Sequence, residues 1–459
     1  MPRVTLADLR REFPPMLRLA FPLVVAEVGW MTMGVLDTLM VGRLPDSAVA
    51  MGAIGIGNIS FFAFAICGVG MLFGIDPMVS QAFGGKRIAD CHRTLWSAVL
   101  LCFPLAAIVM AIVYAMPWVL SALGTNPQVL PPTTAYLRAI LWGALPVLLY
   151  HSFRAYLQAM NQVKVIMFAL ITANVVNAAG NWLLIYGHWG FPAWGVKGSA
   201  VSTVVALVYL ALCMMLYAMW HDRRERHGLF AEIATVHGRE IRELLRLGGP
   251  AAGQILGEIG VWGTSTLLVG KLDAVSLAGH QVAVNVASLL FMVPLGIGQA
   301  GSVRVGQALG AGHGDRAATS GWAALAIGAI FASFSALALV FFGGPIARIY
   351  TPDRAVRQLA ARLLIPCACF EVFDALQVTS AGVLRGAGNT RTAMTAHLIV
   401  YWLFGLPLGY ALCFRAGWGA MGIWIGLSSS IVIIGCILAW AWNQKQRTFA
   451  AVAPRMQRI

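Results

Sequence analysis

The two halves of this chain repeat one another, and this repeat constrains the fold more than any other feature. Four segments of the first half recur in the same order in the second half. The matched pairs are 17–22 (LRLAFP) with 245–250 (LRLGGP), 39–44 (LMVGRL) with 267–272 (LLVGKL), 79–84 (VSQAFG) with 305–310 (VGQALG), and 194–198 (WGVKG) with 418–422 (WGAMG). In an apolar chain such a repeat is typical of membrane transporters built from two similar halves. We therefore expect a site between the halves, near mid-membrane.

Composition places the chain in a membrane. Hydrophobic residues make up 59% of it and charged residues only 11%, whereas soluble domains carry roughly 25% charged residues. A membrane-spanning helix needs about 20 mostly apolar residues, and twelve runs are long enough. The predicted spans are 16–42, 47–75, 94–118, 132–159, 162–187, 195–220, 245–270, 275–301, 318–343, 357–384, 391–414 and 418–442.

Six spans per half determine how the halves are related. With an even number, both halves enter the membrane from the same side, so the repeats are parallel. The sequence predicts an all-α membrane protein of two six-helix bundles, related by a pseudo-two-fold axis along the membrane normal. The predicted parts are an N-terminal bundle (1–220), a cytoplasmic linker (221–243) and a C-terminal bundle with a short cytoplasmic tail (244–459).

Lys and Arg residues predict the orientation. If the N-terminus is cytoplasmic, the cytoplasmic segments hold 20 Lys and Arg residues and the opposite loops hold 7. Cytoplasmic loops are enriched in these residues, so we expect both termini in the cytoplasm of a multi-pass inner-membrane protein, working as a monomer. The net charge of +14 does not indicate a nucleic-acid partner, because the bases lie at the ends of apolar runs and form no stripe.

Acidic residues inside the spans are the first candidates for function. An acid in hydrocarbon is costly, so it is expected to face a cavity and to act there. Asp76 precedes a proline near a span end and is expected at the membrane interface. Glu27 either faces the substrate cavity or bonds to another helix. The acids inside spans are Glu27, Asp37, Asp76, Glu258, Glu371 and Asp374.

Two acids on span 10 share one helix face. Glu371 and Asp374 are three residues apart, and residues at this spacing are neighbours on a helix. Two carboxylates this close cannot both ionise easily in a low dielectric. The pair either carries a proton together, or Asp374 acts beside Glu371 as a structural neighbour. We favour the second interpretation.

Other polar residues inside spans have two possible roles, one functional and one structural. Asn174, Asn177 and Asn181 form one stripe on span 5. Their side-chain oxygens are hard ligands that suit Na+, but buried asparagines also hold helices together. On span 8, His280 could relay protons or could be a packing residue. Gln281 and Asn285 of the same span are candidates for the substrate cavity, together with Glu27 and Glu371.

Missing motifs exclude several functions. The sequence has no Gly-x-x-x-x-Gly-Lys-Ser/Thr phosphate loop and no His-Glu-x-x-His metal motif. We therefore expect no ATP-driven motor, no enzyme and no cofactor. A flippase for lipid intermediates is the alternative, but it needs a basic cavity for pyrophosphate, and the spans offer mainly acids. Bases such as Arg154 lie near span ends in our placement.

Several segments together resemble one known family. They are 35–38 (VLDT), 177–182 (NAAGNW) with 186–187 (YG), Glu258 eight residues after Pro250, 278–285 (AGHQVAVN), 303–306 (VRVG), 374–377 (DALQ) and 382–386 (GVLRG). Over about residues 15–442 the chain resembles multidrug and toxin extrusion (MATE) transporters of the NorM-type branch. One departure is Ala179-Gly180, where the family often has Pro-Leu.

The resemblance implies a function and a site. The family exports lipophilic cations in exchange for Na+ or H+, so the expected partners are cationic drugs or metabolites. The resemblance implies that Asn177, Asn181, Glu258 and Asp374 contribute to a cation site, with Asp37 as the acid of the first half that protonates in some members. We expect Na+ at Glu258 and Asp374, with H+ as a competing ligand.

Overall fold

The computed structural model describes residues 5–235 and 238–449. All regular structure in these ranges is helical, as predicted. Residues 236–237 of the predicted linker and 450–459 of the predicted tail lie outside the described residues. The helices of the first half are α1 (Leu6–Val41), α2 (Ser47–Leu72), α3 (Ile75–Gly84), α4 (Ile88–Ala122), α5 (Leu130–Ile140), α6 (Ala144–Ala159), α7 (Val163–Tyr186) and α8 (Val196–Glu225).

The second half follows the same plan. A 3-10 segment, Leu229–Thr235, precedes α9 (Gly238–Val269), α10 (Ala274–Gly310), α11 (Gly314–Tyr350) and α12 (Arg354–Gly386). The next run alternates α13 (Arg391–Ile399), a π-helix (Val400–Gly405), α14 (Leu406–Tyr410) and a second π-helix (Ala411–Arg415), and α15 (Ala420–Arg447) ends the described chain. Joining α2 with α3, α5 with α6, and α13 with α14 gives twelve long helical runs among the described residues, at the predicted positions.

Ten of these runs are long and apolar enough to cross a membrane. The other two, α9 and α12, contain 32 and 33 residues and carry the candidate acids of the second half. Their charged side chains lower the mean hydropathy of these helices. The chain is therefore a multi-pass membrane protein in which the least apolar helices hold candidate functional residues.

The described chain separates into two compact units. The N-unit is Val25–Ala252, and the C-unit is Met1–Val24 with Gly253–Ile459. The boundaries fall inside α1 and inside α9, two residues after Pro22 and Pro250. Each repeat thus begins with a helix whose start belongs to the other unit. The linker that the sequence predicts at 221–243 separates the two sequence repeats, not these two units, and it stays a prediction.

Glycines allow close packing of α12, the helix that carries Asp374. A Cβ atom on Gly382 would collide with the backbone of Gly298 in α10, and one on Gly386 would collide with the backbone of Ser302. Small residues are a general means of bringing membrane helices into contact. The resulting backbone contact fixes α12 against α10.

Local sequence also sets the helix ends. Asp273 begins α10 by accepting hydrogen bonds from the Ser276 N–H at 2.8 Å and from its hydroxyl at 2.7 Å, a typical N-cap. These bonds hold the pKa of Asp273 below its usual value. In contrast, Ala179-Gly180 does not interrupt α7, which is a continuous helix across these residues.

Candidate functional site

A buried cluster around Asp37 lies inside the N-unit. Asp37 is 2% exposed. Its Oδ1 accepts a hydrogen bond from Asn181 Nδ2 at 2.6 Å, and its Oδ2 accepts one from Thr203 Oγ1 at 2.9 Å. Asn181 Nδ2 also donates to Asn177 Oδ1 at 3.2 Å. Helices α1, α7 and α8 therefore converge on one carboxylate, which we call the Asp37 cluster.

Two amide atoms of the Asp37 cluster have no hydrogen-bond partner. They are Asn177 Nδ2 and Asn181 Oδ1, and both are buried. A buried polar atom without a partner is costly, and a bound ion or water molecule is one way to satisfy it. The free Asn181 oxygen is a suitable ligand for a hard cation, because carboxylate and amide oxygens bind such ions. The cluster can hold a proton or a small cation.

A cavity of about 290 Å³ opens beside the Asp37 cluster. Its wall is mostly apolar, and among the described residues Asp37 is the only charged one that lines it. The lining residues are Trp30, Met31, Met33, Gly34, Asp37, Asn58, Ile59, Phe62, Thr203 and Leu207. Such a cavity combines an apolar surface with a single negative charge, which matches the chemistry of a lipophilic cation.

Aromatic packing sets the orientation of Trp30 in this cavity. Its ring is parallel to that of Tyr150 within 3° at a centroid distance of 5.8 Å, and Phe62 meets it edge-on at 6.1 Å. Behind this stack, Arg154 forms a buried ion pair with Glu27. Neither residue of this pair lines the cavity, so Glu27 interacts with another helix. Arg154 is only 5% exposed. Its predicted place near the end of a span gave no sign that its side chain is buried.

A second set of acids lies in the C-unit. Asp374 in α12 is 8% exposed, and its Oδ1 accepts a hydrogen bond from Gln377 Nε2 at 2.8 Å. The same amide nitrogen lies 3.5 Å from the Tyr401 hydroxyl. Gln377 Oε1 is buried and has no hydrogen-bond partner. Tyr401 lies in the first π-helix, a type of distortion that is frequent at functional sites.

Glu258 and Glu371 complete this second set. Asp374 interacts electrostatically with both carboxylates. Glu371 is buried and accepts a hydrogen bond from Ser335 Oγ at 3.2 Å, whereas Glu258 is half-buried. Trp402 Nε1 in the first π-helix donates a hydrogen bond to the Gly257 carbonyl at 3.1 Å. This bond fixes α9 next to Glu258 and so positions that residue. We call these three acids the C-unit carboxylates.

The acids near these helices differ in their basic partners. Glu27 pairs with Arg154, and Glu12 pairs with Arg304, whose Nε lies 2.8 Å from Glu12 Oε1. Asp37 and the C-unit carboxylates have no Lys, Arg or His within the salt-bridge distance of 4.0 Å among the described residues. The unpaired set contains Asp37, Glu258, Glu371 and Asp374. An unpaired buried charge costs several kcal/mol, and a half-buried one such as that of Glu258 costs less. A proton or a cation would therefore stabilise all four acids.

The C-unit carboxylates do not meet at a single point. In the described part of the chain, no three acidic, His or Cys side chains lie close enough together to hold a metal ion. A cation there would need neutral oxygens as well. Gln377 Oε1 and the Tyr401 hydroxyl are the nearest such groups to Asp374 that the hydrogen bonds identify.

His280 is a structural residue in a neutral state. Trp424 Nε1 can only donate, and it lies 3.0 Å from His280 Nδ1, which must therefore accept. The proton is then on Nε2, 2.9 Å from Thr266 Oγ1, and that hydroxyl donates to the Trp262 carbonyl at 3.0 Å. Each side-chain polar atom in this series of hydrogen bonds has a partner, so His280 holds helices together.

The other predicted cavity residues are outside both clusters. Gln281 and Asn285 are exposed, and Asn285 Nδ2 donates to the Gln281 carbonyl at 2.9 Å. Asn174 donates to backbone carbonyls at Gly29 and Leu170, each at 2.9 Å. Asn174 therefore connects helices, whereas Asn181 bonds directly to Asp37 and Asn177 joins the cluster through Asn181. Asp76 is 4% exposed, and its predicted position at the membrane interface stays a prediction.

Sequence patterns did not identify the neutral partners. Thr203, Gln377 and Ser335 bond to candidate acids, and Asn58 lines the cavity. Tyr136 bonds to Asn58, and Tyr401 lies next to Gln377. A single Thr or Tyr in an apolar helix has no periodic signal. The DALQ segment, which includes Gln377, was the only signal that could have indicated one of them.

Known proteins match this chain over nearly its whole length. The MatE family model matches residues 22–183 and 250–411, one match in each half. A probable multidrug resistance protein NorM of Mesorhizobium japonicum is 34% identical over 95% of both chains. The multidrug resistance protein NorM of Aliivibrio fischeri is 31% identical, over 95% of this chain and 96% of the relative.

Solved structures share the fold. The eukaryotic MATE transporter AtDTX14 superposes with a TM-score of 0.86 at 19% identity, over 97% of this chain and 99% of that one. A MATE structure in the bent conformation gives a TM-score of 0.84 at 15% identity, over 97% of both chains. With matches in both halves and relatives above 30% identity over nearly its full length, the chain belongs to the MatE family of membrane transporters.

Proposed function

We propose that this chain is a secondary active antiporter that exports lipophilic organic cations in exchange for Na+ or H+. The observation that carries the proposal is the set of four acids without basic partners. Their charge must be compensated, and exchange of one cation for another on such acids is the chemistry of cation antiport. The names of the relatives as multidrug resistance proteins agree with it.

The substrate is proposed to occupy the N-unit cavity. The 290 Å³ volume is at the small end of ligand sites, so part of a drug-sized molecule would fill it. The Trp30 and Phe62 rings offer faces for a flat cation, and Asp37 supplies the opposite charge. A flippase for pyrophosphate lipids would need bases here, and the lining contains none.

Na+ is proposed as the coupling ion, bound by Glu258 and Asp374, with H+ as a competing ligand. A proton needs one carboxyl, whereas Na+ needs several oxygens at once. The C-unit supplies several acids and the free Gln377 Oε1, which favours Na+. Protonation removes the negative charge of the ligands, so low pH should weaken Na+ binding. Asp37 is the alternative carrier if H+ is the coupling ion.

Coupling requires that the ion bind one conformation better than the other, since only differential affinity shifts an equilibrium. The direct test is drug export by purified protein in proteoliposomes, with Na+ and pH gradients imposed separately. Export under a Na+ gradient with the proton gradient collapsed supports the proposal. Export driven only by a pH gradient refutes Na+ coupling and leaves Asp37 as the leading carrier.

The orientation is also a proposal. The bias of 20 against 7 Lys and Arg residues supports an inner-membrane protein with both termini in the cytoplasm. Reporter fusions after residues 230 and 445 should both report the cytoplasm. A periplasmic signal at either position contradicts this topology. We expect the monomer to be the transporting unit.

A further inference from the structure

A groove of about 430 Å³ lies in the C-unit, between the start of the 391–415 run and α15. It takes no part in the proposed transport cycle. Its lining residues are Arg391, Thr392, Thr395, Ala396, Ile399, Val400 and Ile437. One end of the groove is charged and the rest is apolar.

The charged end has a free cation. Arg391 is exposed, and its guanidinium forms no hydrogen bond or ion pair with any described residue. The 391–415 run and α15 are adjacent and are joined only by residues 416–419, so they are antiparallel. The last turn of α15, with Lys445 and Arg447, therefore lies at the same membrane face as Arg391.

The position of the groove relative to the membrane follows from the helix. Arg391–Arg415 is one of the apolar runs that can cross a membrane, so Arg391 lies at an interface. Ile399 is eight residues further on, about 12 Å deeper at 1.5 Å per residue, and it is 51% exposed. A molecule in this groove would meet charge at the surface and hydrocarbon below it.

The two threonines at the charged end restrict the ligand further. Thr392 Oγ1 already donates to Asn389 Oδ1 at 3.0 Å, and Thr395 Oγ1 donates to the Arg391 carbonyl at 2.9 Å. Both hydroxyls can therefore only accept another hydrogen bond. Arg391 must bind the anion, and the hydroxyl oxygens suit a headgroup that donates hydrogen bonds.

We propose that this groove binds an anionic phospholipid. Its phosphate lies at Arg391, and one acyl chain runs along Ile399, Val400 and Ile437. Basic pockets between membrane helices on the cytoplasmic side bind such headgroups in general, and the predicted orientation places Arg391 on that side. Phosphatidylglycerol fits best, because its headgroup is anionic and its glycerol hydroxyls can donate to Thr392, which lies at the level of Arg391.

The test is native mass spectrometry of the purified full-length protein with phosphatidylglycerol or phosphatidylcholine of identical chains. We expect phosphatidylglycerol to bind at least tenfold more tightly. Arg391→Gln should abolish this preference. Arg415→Gln is the matched control, because it removes the same charge from the other end of the same helical run and should leave the preference intact.

A second variant tests the apolar part of the groove. Ile437→Trp fills the groove without changing its charge, and it should weaken phosphatidylglycerol binding about tenfold. The proposal is wrong if Arg391→Gln and Arg415→Gln bind phosphatidylglycerol equally, or if Ile437→Trp has no effect. It is also wrong if inorganic phosphate displaces the lipid at equal concentration, since the site would then recognise a free anion. Drug transport is not part of this readout.

Discussion

Asp374→Asn is the substitution that most directly tests the C-unit carboxylates, because the surroundings of Asp374 can adapt to an amide. Its Oδ1 accepts one hydrogen bond, from Gln377 Nε2 at 2.8 Å. The neighbouring Gln377 Oε1 has no partner. A half-turn of the Gln377 amide would present this oxygen to the new Nδ2 group. The substituted protein can therefore keep a hydrogen bond at this position.

The expected effects on folding and on ion binding differ in size. In the folded state, the substitution replaces a hydrogen bond to a charged group, worth about 1.5–3 kcal/mol, by a neutral hydrogen bond worth about 0.5–1.5 kcal/mol. Removal of an unpaired buried charge offsets this loss, so the unfolding midpoint should change little. A bound cation loses the charged interaction entirely. If the lost interaction with the cation is worth as much as one hydrogen bond to a charged group, about 1.5–3 kcal/mol, the cation affinity falls about 10- to 150-fold, at 1.4 kcal/mol per tenfold.

The assay is drug export from cells and from proteoliposomes at matched protein levels. Asp353→Asn is the control, because Asp353 caps the N-terminus of the same helix through the Ala355 and Val356 N–H groups, and Asn caps equally well. We expect Asp374→Asn to abolish export and Asp353→Asn to preserve it. Normal export by Asp374→Asn would show that Asp374 has only a structural role.

Three further substitutions test other parts of the structure. Thr203→Val removes a hydrogen bond to Asp37, worth about 1.5–3 kcal/mol; export should fall, and Thr203→Ser should restore it. Glu12→Gln leaves Arg304 without its counter-charge, which should cost about 3–5 kcal/mol and lower the thermal unfolding midpoint; an unchanged midpoint contradicts this. Trp30→Ala removes an aromatic face worth about 0.5–2 kcal/mol, so export of flat aromatic cations should fall more than that of tetraalkylammonium ions; an equal fall argues against stacking.

The sequence predicted the helices well because hydropathy is a local property. A run of about 20 apolar residues must cross the bilayer as a helix, since no other open structure satisfies its backbone. The twelve predicted spans therefore correspond to the twelve described runs. Some predicted starts were late, because those helices extend beyond the apolar run: α1 begins at Leu6, not at residue 16, and α4 at Ile88, not at residue 94.

The partners of the acids were harder to predict because they are distant in sequence. Asp37 and Thr203 are 166 residues apart, and Glu27 and Arg154 are 127 apart. The Asn stripe was visible as a helical period, and two of its three members belong to the Asp37 cluster. However, periodicity cannot distinguish these two from Asn174, which bonds only to backbone carbonyls.

The pairing of each acid separates structural roles from functional ones better than its depth in a span does. Glu12, Glu27 and Asp374 are each at most 8% exposed, so burial alone does not distinguish them. Glu12 and Glu27 each have an Arg, and their charge is compensated at all times. Asp374 has only neutral neighbours within hydrogen-bond distance, so its charge depends on what it binds. An acid of this second kind changes state when a cation or proton arrives, and that dependence is what an antiporter requires.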